Sequence, residues 1–160
     1  MRHKIFHDPQ TLAAHLDDLR ERGAVIVTAN GCFELIHVGH VRYLADAKAQ
    51  GDVLVVMVNT DASMKRIKPD REPENTDEDR FEILAALEDV DYVVPLDDDT
   101  PERLLRLFRP HVHTKGTDYE LSEIPEVPLV ESLGGEVRLV GGPKIRSTRD
   151  MLKNIRDRQQ

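Results

Sequence analysis

Two short, nearly continuous apolar runs, residues 24–29 and 53–58, flank a helical stretch at 38–50 that stops at Gly51. Runs of this length without polar alternation suit strands buried on both faces, and strands joined through a helix lie parallel. The crossover is expected to be right-handed. The rest of the chain continues the alternation. Residues 11–22 carry Leu12, Ala13, Leu16 and Leu19 at helical spacing and end at Gly23, a suitable C-terminal cap. A helix at 76–88, a strand at 92–94 and a helix after Thr100-Pro101 follow, with threonine capping and proline in the first turn. Residues 111–115, 128–133 and 136–140 read as strand, helix and strand. The last helix opens at Ser147, whose Ser-x-x-Asp pattern with Asp150 is a relative of the capping box. No internal repeat or low-complexity tract interrupts the series.

The predicted fold is therefore α/β, a single-domain Rossmann-like open parallel sheet with helices on both faces. One domain is expected over 1–160, with 1–23 as an N-terminal helical extension and 24–155 as the catalytic core. Ligands bind beyond the carboxyl ends of such strands, which directs attention to the loops after Ala29, Val58, Lys115 and Val140.

Composition narrows the ligand. The 22 Lys+Arg against 30 Asp+Glu leave a net charge of -8, contrary to the basic face a phosphate backbone demands. With no tryptophan and few other aromatics, a base-stacking platform is not expected either, so nucleic acid is excluded as a partner. The single cysteine, Cys32, has no internal disulfide partner, and no N-terminal apolar stretch reads as a signal peptide or membrane span. A reducing, cytoplasmic location without membrane contact is expected. What remains is a small-molecule site, and an anionic ligand there must meet a local basic pocket.

The most informative segment is Asn30-Gly31-Cys32-Phe33-Glu34-Leu35-Ile36-His37-Val38-Gly39-His40, between the first buried strand and the next helix. Gly31 permits a tight turn. Unpartnered amides at the new helix's start, with the positive dipole end, form a natural phosphate site. His37 and His40 project from that same end, and Gly39 leaves room for close approach of a ligand. Paired imidazoles there are suited to donating hydrogen bonds to oxygens whose charge grows during phosphoryl transfer.

Strand, Asn-Gly turn, aromatic and then His-x-Gly-His opening a helix resembles the nucleotidyltransferase superfamily named for that motif. Within it, the chain is most similar to heptose-phosphate adenylyltransferases, over about residues 24–155. The resemblance implies that His37 and His40 contact a triphosphate and stabilise the transition state, with Asn30, Gly31, Cys32, Phe33 and Gly39 lining the nucleotide. Glu34 departs from the family, which usually carries aspartate there.

Three further segments carry the likeness. After the second strand, 58–68 holds Asn59, Asp61 and the cations Lys65, Arg66 and Lys68. Lys68 is assigned a catalytic phosphate contact, and Asn59 and Asp61 the acceptor side. Residues 69–79 read as a mobile polar loop, and 65–79 are expected to close over bound phosphates; the family's arginine before its proline is replaced by Glu72, with Arg71 one step earlier. Arg80, opening the next helix, matches a family arginine and is assigned to the acceptor. Lys115-Gly116-Thr117-Asp118-Tyr119 resembles the family's Lys-Gly-Gly-Asp-Tyr; Gly116 suggests an unusual backbone turn and Asp118 a ribose contact, while Thr117 departs from the pattern. In the loop Gly141-Gly142-Pro143-Lys144-Ile145-Arg146-Ser147-Thr148-Arg149, residues Ser147, Thr148 and Arg149 match a family phosphate-binding version in part. Asp97-Asp98-Asp99 reads as an acidic turn before the Thr100 cap rather than as a metal site.

The expected reaction is transfer of AMP from ATP, with Mg2+, to a sugar 1-phosphate, by a homodimer. Alternatives stay open: glycerol 3-phosphate with CTP, riboflavin phosphate with ATP, a nucleotide sensor without turnover, or zinc held by His37, His40, His111 and His113.

Overall fold

The computed structural model describes residues 1–143 and 147–158. Five strands, β1 (Ile26–Gly31), β2 (Val53–Asn59), β3 (Tyr92–Leu96), β4 (Val112–Gly116) and β5 (Glu136–Val140), form one sheet in the order β3-β2-β1-β4-β5. Every neighbouring pair is parallel, with Ile26 opposite Val53, Val55 opposite Tyr92, Thr28 opposite His113 and Val112 opposite Glu136.

The apolar run of β2 explains itself in this arrangement. Val53, Val55 and Met57 join a core with Leu12 and Leu16 of α1 (Pro9–Glu21), Leu104, Leu105 and Phe108 of α5 (Glu102–Phe108), and Val130 of α6 (Val127–Ser132). Leu54, Val56 and Val58 point the other way, into a core with Leu44 and Ala47 of α2 (Val38–Lys48) and Phe81, Leu84 and Ala85 of α4 (Asp77–Ala85). A strand covered on both faces has no solvent side to mark with polar residues. Residues 1–23 contribute to the same body: α1 buries Leu12 and Leu16 completely, and Ile5 pairs with Val93 along the outer side of β3.

Local chemistry sets the helix starts. Asp8 caps α1 by accepting from the Gln10 and Thr11 amides, Thr76 caps α4, and Ser147 with Asp150 forms a capping box at α7 (Thr148–Asp157). Two sequence expectations differ. Residues 61–67 form a helix, α3 (Asp61–Ile67), capped by Thr60, in place of the expected loop after the strand end. Thr100 does not cap α5; Pro101 stands at the cap position without a side-chain bond. Proline fits either place because it has no amide to satisfy. The acidic turn 97–99 is neutralised by arginines: Arg66 meets Asp99 at 2.7 Å and Arg103 meets Asp98 at 2.7 Å.

Strand order reverses between β1 and β4, since β2 and β3 lie to one side of β1 and β4 and β5 to the other. A crevice must open at the carboxyl ends of β1 and β4, where the connecting chains diverge.

Candidate active site

At that reversal point Lys115, from the end of β4, donates a 2.9 Å hydrogen bond from Nζ to Asn30 Oδ1 at the end of β1. Glu126 lies 3.7 Å from the same ammonium, and burial lowers the Lys115 pKa against Glu126's opposing pull. Gly31 packs beneath Phe33, where an added Cβ would stand 3.1 Å from the ring, and Phe33 itself adopts the left-handed backbone at φ 48°. This sharp turn delivers the chain to α2 with His37 as its cap.

The Gly39 amide donates to His37 Nδ1 at 3.1 Å, the His37 amide lies 3.4 Å from His40 Nδ1, and the His40 amide donates to the His37 carbonyl. Three of the helix's four orphan amides are thus occupied within the turn, contrary to the expectation of free donors. The imidazoles take their place. In neutral His37, Nδ1 is an acceptor, so the proton sits on Nε2 as a donor. The two rings stack with centroids 3.9 Å apart, and Phe33 lies 5.3 Å from His40 on its other side. Burial, then proximity to His37, lowers the His40 pKa to about 4, opposed by a bond to the Leu35 backbone. His40 is therefore neutral at ordinary pH.

Two joined clefts open here. One, of about 390 Å3, is lined by His37, Gly39, His40, Arg42, Lys68, Gly116, Asp118, Gly142 and Ser147 among others. The second, of about 450 Å3, is lined by Asn30, Gly31, Cys32, Phe33, Glu34, His40, Lys68, Arg71 and Lys115 among others. His40, Tyr43, Lys68, Gly116 and Tyr119 border both. These volumes suit small ligands, and the shared border is where two of them would meet.

Most residues singled out in the sequence meet at these clefts, and several do not. Asn59, Asp61 and Arg80 stand behind them. The Arg80 guanidinium is fully buried and donates to the Cys32 carbonyl at 2.6 Å, the Asn59 carbonyl at 2.7 Å and Asp61 Oδ1 at 2.8 Å. Asn59 is itself bonded to Ser63 at 2.8 Å. The three tie the ends of β1 and β2 together. Of the cation cluster, only Lys68 borders the clefts, with Nζ 3.6 Å from Cys32 Sγ; Arg66 turns away to Asp99. Gly116 has no positive φ, so the unusual turn expected there is absent; an added Cβ would meet open space in the cleft. Thr148 and Arg149 head α7, but their side chains lie outside the described residues, as do residues 144–146.

Tyr43, Arg42, Glu34, Arg71 and Thr117 are members of the site that sequence reasoning gave no role. Tyr43 donates to the Thr114 carbonyl at 2.9 Å, and burial pushes its hydroxyl up to about 12. Gly141 adopts φ 99°, a backbone that side chains rarely take, and an added Cβ there would stand a tight 3.2 Å from Tyr43. Thr117 donates from Oγ1 to the Gly142 carbonyl and so joins the loops after β4 and β5. His111 and His113 are turned to β1: the Ile26 amide donates to His111 Nδ1 at 2.9 Å, and Thr28 Oγ1 lies 2.8 Å from His113 Nδ1. Among the described residues, no three His, Cys, Asp or Glu side chains gather to hold a metal, so the four-histidine zinc site is not formed.

Residues 28–153 match the family described as cytidylyltransferase-like. The chain belongs to that family. Among curated cytidylyltransferase-like relatives, "Bifunctional protein HldE" of Aliarcobacter butzleri is 41% identical over 98% of this chain and 32% of its own length. The protein of the same name from Pseudomonas aeruginosa strain LESB58 is 44% identical over 93% of this chain and 32% of its own length. The chain thus spans about a third of these relatives. Among solved structures, the lipopolysaccharide core biosynthesis protein of Thermoplasma volcanium superposes with a TM-score of 0.65 at 27% identity, covering 78% of this chain and all of its own. The pantoate-beta-alanine ligase of Francisella tularensis, at 17% identity and a TM-score of 0.59 over 90% of this chain and 68% of its own, shares the fold.

Proposed function

We propose that this chain is an adenylyltransferase that moves AMP from ATP to the phosphate of a sugar 1-phosphate, D-glycero-D-manno-heptose 1-phosphate above all, releasing pyrophosphate. The observation that carries this reading is the stacked His37–His40 pair, with His40 neutral and bordering both clefts. The relatives called bifunctional HldE and the Lys115–Tyr119 likeness to heptose-type enzymes favour ATP and a heptose phosphate within the family.

In this account an acceptor phosphate oxygen forms a bond to the α-phosphorus while the bond to the β-phosphate's bridging oxygen breaks. The acceptor is already an anion, so no general base and no covalent enzyme intermediate are needed. The chain supplies orientation and charge stabilisation. His37 and His40 donate to phosphate oxygens as charge builds, and Lys68, on the border of both clefts, meets the charge of both ligands. Asn30, Gly31, Cys32, Phe33, Gly39, Lys115, Gly116, Asp118, Ser147, Thr148 and Arg149 are proposed to hold the nucleotide. Asn59, Asp61 and Arg80 are proposed to serve the acceptor side indirectly, by fixing the ends of β1 and β2.

Mg2+ would neutralise the triphosphate. Asp118 is a carboxylate on the wall of the phosphate cleft and fits an ion that draws its other ligands from phosphate oxygens and water. We further propose one domain over 1–160, with a core at 24–155, working as a homodimer in the cytoplasm. No helix among the described residues is long and apolar enough to cross a membrane.

A pyrophosphate-release screen of the four nucleoside triphosphates against sugar 1-phosphates and polyol phosphates tests the reading. ATP with a heptose 1-phosphate should be the best pair. CTP at least tenfold better with every acceptor would contradict adenylyl transfer and leave only the family.

A further inference from the structure

Residues two apart along a strand share one face of the sheet. On the face covered by α1, α5 and α6, Thr28 of β1 stands opposite His113 of β4, with Oγ1 2.8 Å from His113 Nδ1. Two residues onward on each strand, Asn30 meets Lys115. A third group reaches this last pair from α6. Glu126 holds the helix's N-cap position, where a side-chain oxygen ordinarily accepts from the first amides, yet its side chain makes no capping bond. It is 8% exposed and its carboxylate lies 3.7 Å from Lys115 Nζ. A carboxylate withdrawn from both water and the cap needs a counter-charge, and the Lys115 ammonium supplies it.

The charge on Lys115 dictates how Asn30 stands. An ammonium has three donors and no acceptor, so the Asn30 amide must turn its oxygen to Nζ, as the 2.9 Å bond to Oδ1 shows. The amide's two N–H donors are then left to a ligand in the inner cleft, which Asn30 borders. An uncharged amine could accept as well as donate, and the amide would be free to reverse. Burial draws the Lys115 pKa down, and Glu126 is the group that opposes this. Glu126 itself lies behind Lys115 and lines neither cleft.

We infer that Glu126 is a positioning residue for the nucleotide: it holds the Lys115 ammonium beside Asn30, and so fixes the Asn30 amide with its N–H donors presented to an oxygen of the bound nucleotide. The inference rests on the proposed reading that Asn30 and Lys115 hold the nucleotide. Glu126 touches neither ligand and acts through Lys115. The two are energetically coupled, as residues in contact are.

The test uses the full chain and calorimetric binding of ATP with Mg2+, with thermal melts on every variant: wild type, Glu126→Gln, Lys115→Met, their double variant and Asn30→Asp. Glu126→Gln is expected to weaken ATP binding about tenfold or more while the KM for heptose 1-phosphate stays within about twofold. The double variant should bind ATP no more weakly than Lys115→Met, because Glu126 acts through that lysine. It should also melt higher than Lys115→Met, which leaves Glu126 buried without a partner. Asn30→Asp keeps an oxygen for the ammonium but turns a second oxygen to the ligand, so it should fold and still bind ATP about tenfold more weakly. A folded Glu126→Gln with wild-type ATP affinity would show an ion pair that serves the fold alone and overturns the inference. Multiplicative losses in the double variant, or equal losses for ATP and acceptor, overturn it too. If Glu126→Gln does not fold, Asn30→Asp decides: unchanged ATP affinity overturns the claim. If wild type binds CTP and not ATP, the adenylyl reading falls and the same comparison is made with CTP. If it binds none of the four triphosphates, reading and inference fall together.

Discussion

The imidazole rings of His37 and His40 lie face to face, with centroids 3.9 Å apart and 26° between their planes. Burial, and after it the repulsion two cations at that distance would feel, lowers the His40 pKa to about 4. His40 therefore works as an uncharged hydrogen-bond donor rather than as stored positive charge. A proton-detected titration should find the His40 midpoint near 4; a midpoint near 6.5 would remove this account of the pair.

The same shift sets a stability window. An unfolded histidine takes up a proton near pH 6.5, whereas folded His40 resists until about 4 and buried His113 until about 3. Between these values the unfolded chain binds more protons, so stability falls as pH drops below about 6.5 and this contribution levels off near 3 to 4. Thermal melts from pH 7 to pH 4 should show the decline. His113→Asn should make it shallower, and an unchanged slope would deny His113 its part.

His40→Ala should lower turnover by about 10²- to 10³-fold, the scale for losing a preorganised donor to developing charge. The variant should stay folded, because the ring lines a cleft and its one core neighbour is Phe33. Near-normal turnover in a folded variant would take His40 out of the transition state.

Lys68 and Arg66 are neighbours in sequence with different surroundings. Lys68 borders both clefts, while Arg66 is paired with Asp99 on the far side of α3. Lys68→Ala should raise KM for ATP and lower kcat together, and Arg66→Ala should leave both within about twofold, as exposed ion pairs contribute little. Steady-state kinetics on the two variants would separate them. Equal losses would mean that Arg66 swings to the ligand.

Two glycines should answer alanine in opposite ways. A Cβ on Gly135 would stand 2.4 Å from the Pro110 carbonyl, backbone that cannot step aside, so Gly135→Ala should cost roughly 1–3 kcal/mol in denaturant melts. At Gly116 a Cβ meets nothing, so Gly116→Ala should fold normally and show its effect as weaker nucleotide binding. Calorimetry with ATP checks the second half; unaltered affinity would show that nucleotide does not approach Gly116.

The sheet was legible because burial on both faces leaves a plain mark: β2 is apolar from Val53 to Val58, and each glycine stop marked a helix end. The His-x-Gly-His turn was equally plain. Helix α3 was not, because its seven residues carry too short a pattern, and its Thr60 cap looks like any loop threonine. Arg80 reads in sequence as a site cation, yet its partners are two carbonyls and Asp61 on other segments, which spacing along the chain cannot reveal. Glu34 and Arg71 stand in the sequence as separate departures from the family pattern; only the folded chain brings them to 2.9 Å.

The central claim is attack of an acceptor phosphate oxygen on the α-phosphorus of ATP. Mass spectrometry of products formed from ATP and heptose 1-phosphate labelled with 18O in its phosphate tests it most directly. An ADP-sugar that carries all of the label and pyrophosphate that carries none are expected. Labelled pyrophosphate would contradict it, and ATP bound but left intact would show a nucleotide sensor in place of an enzyme.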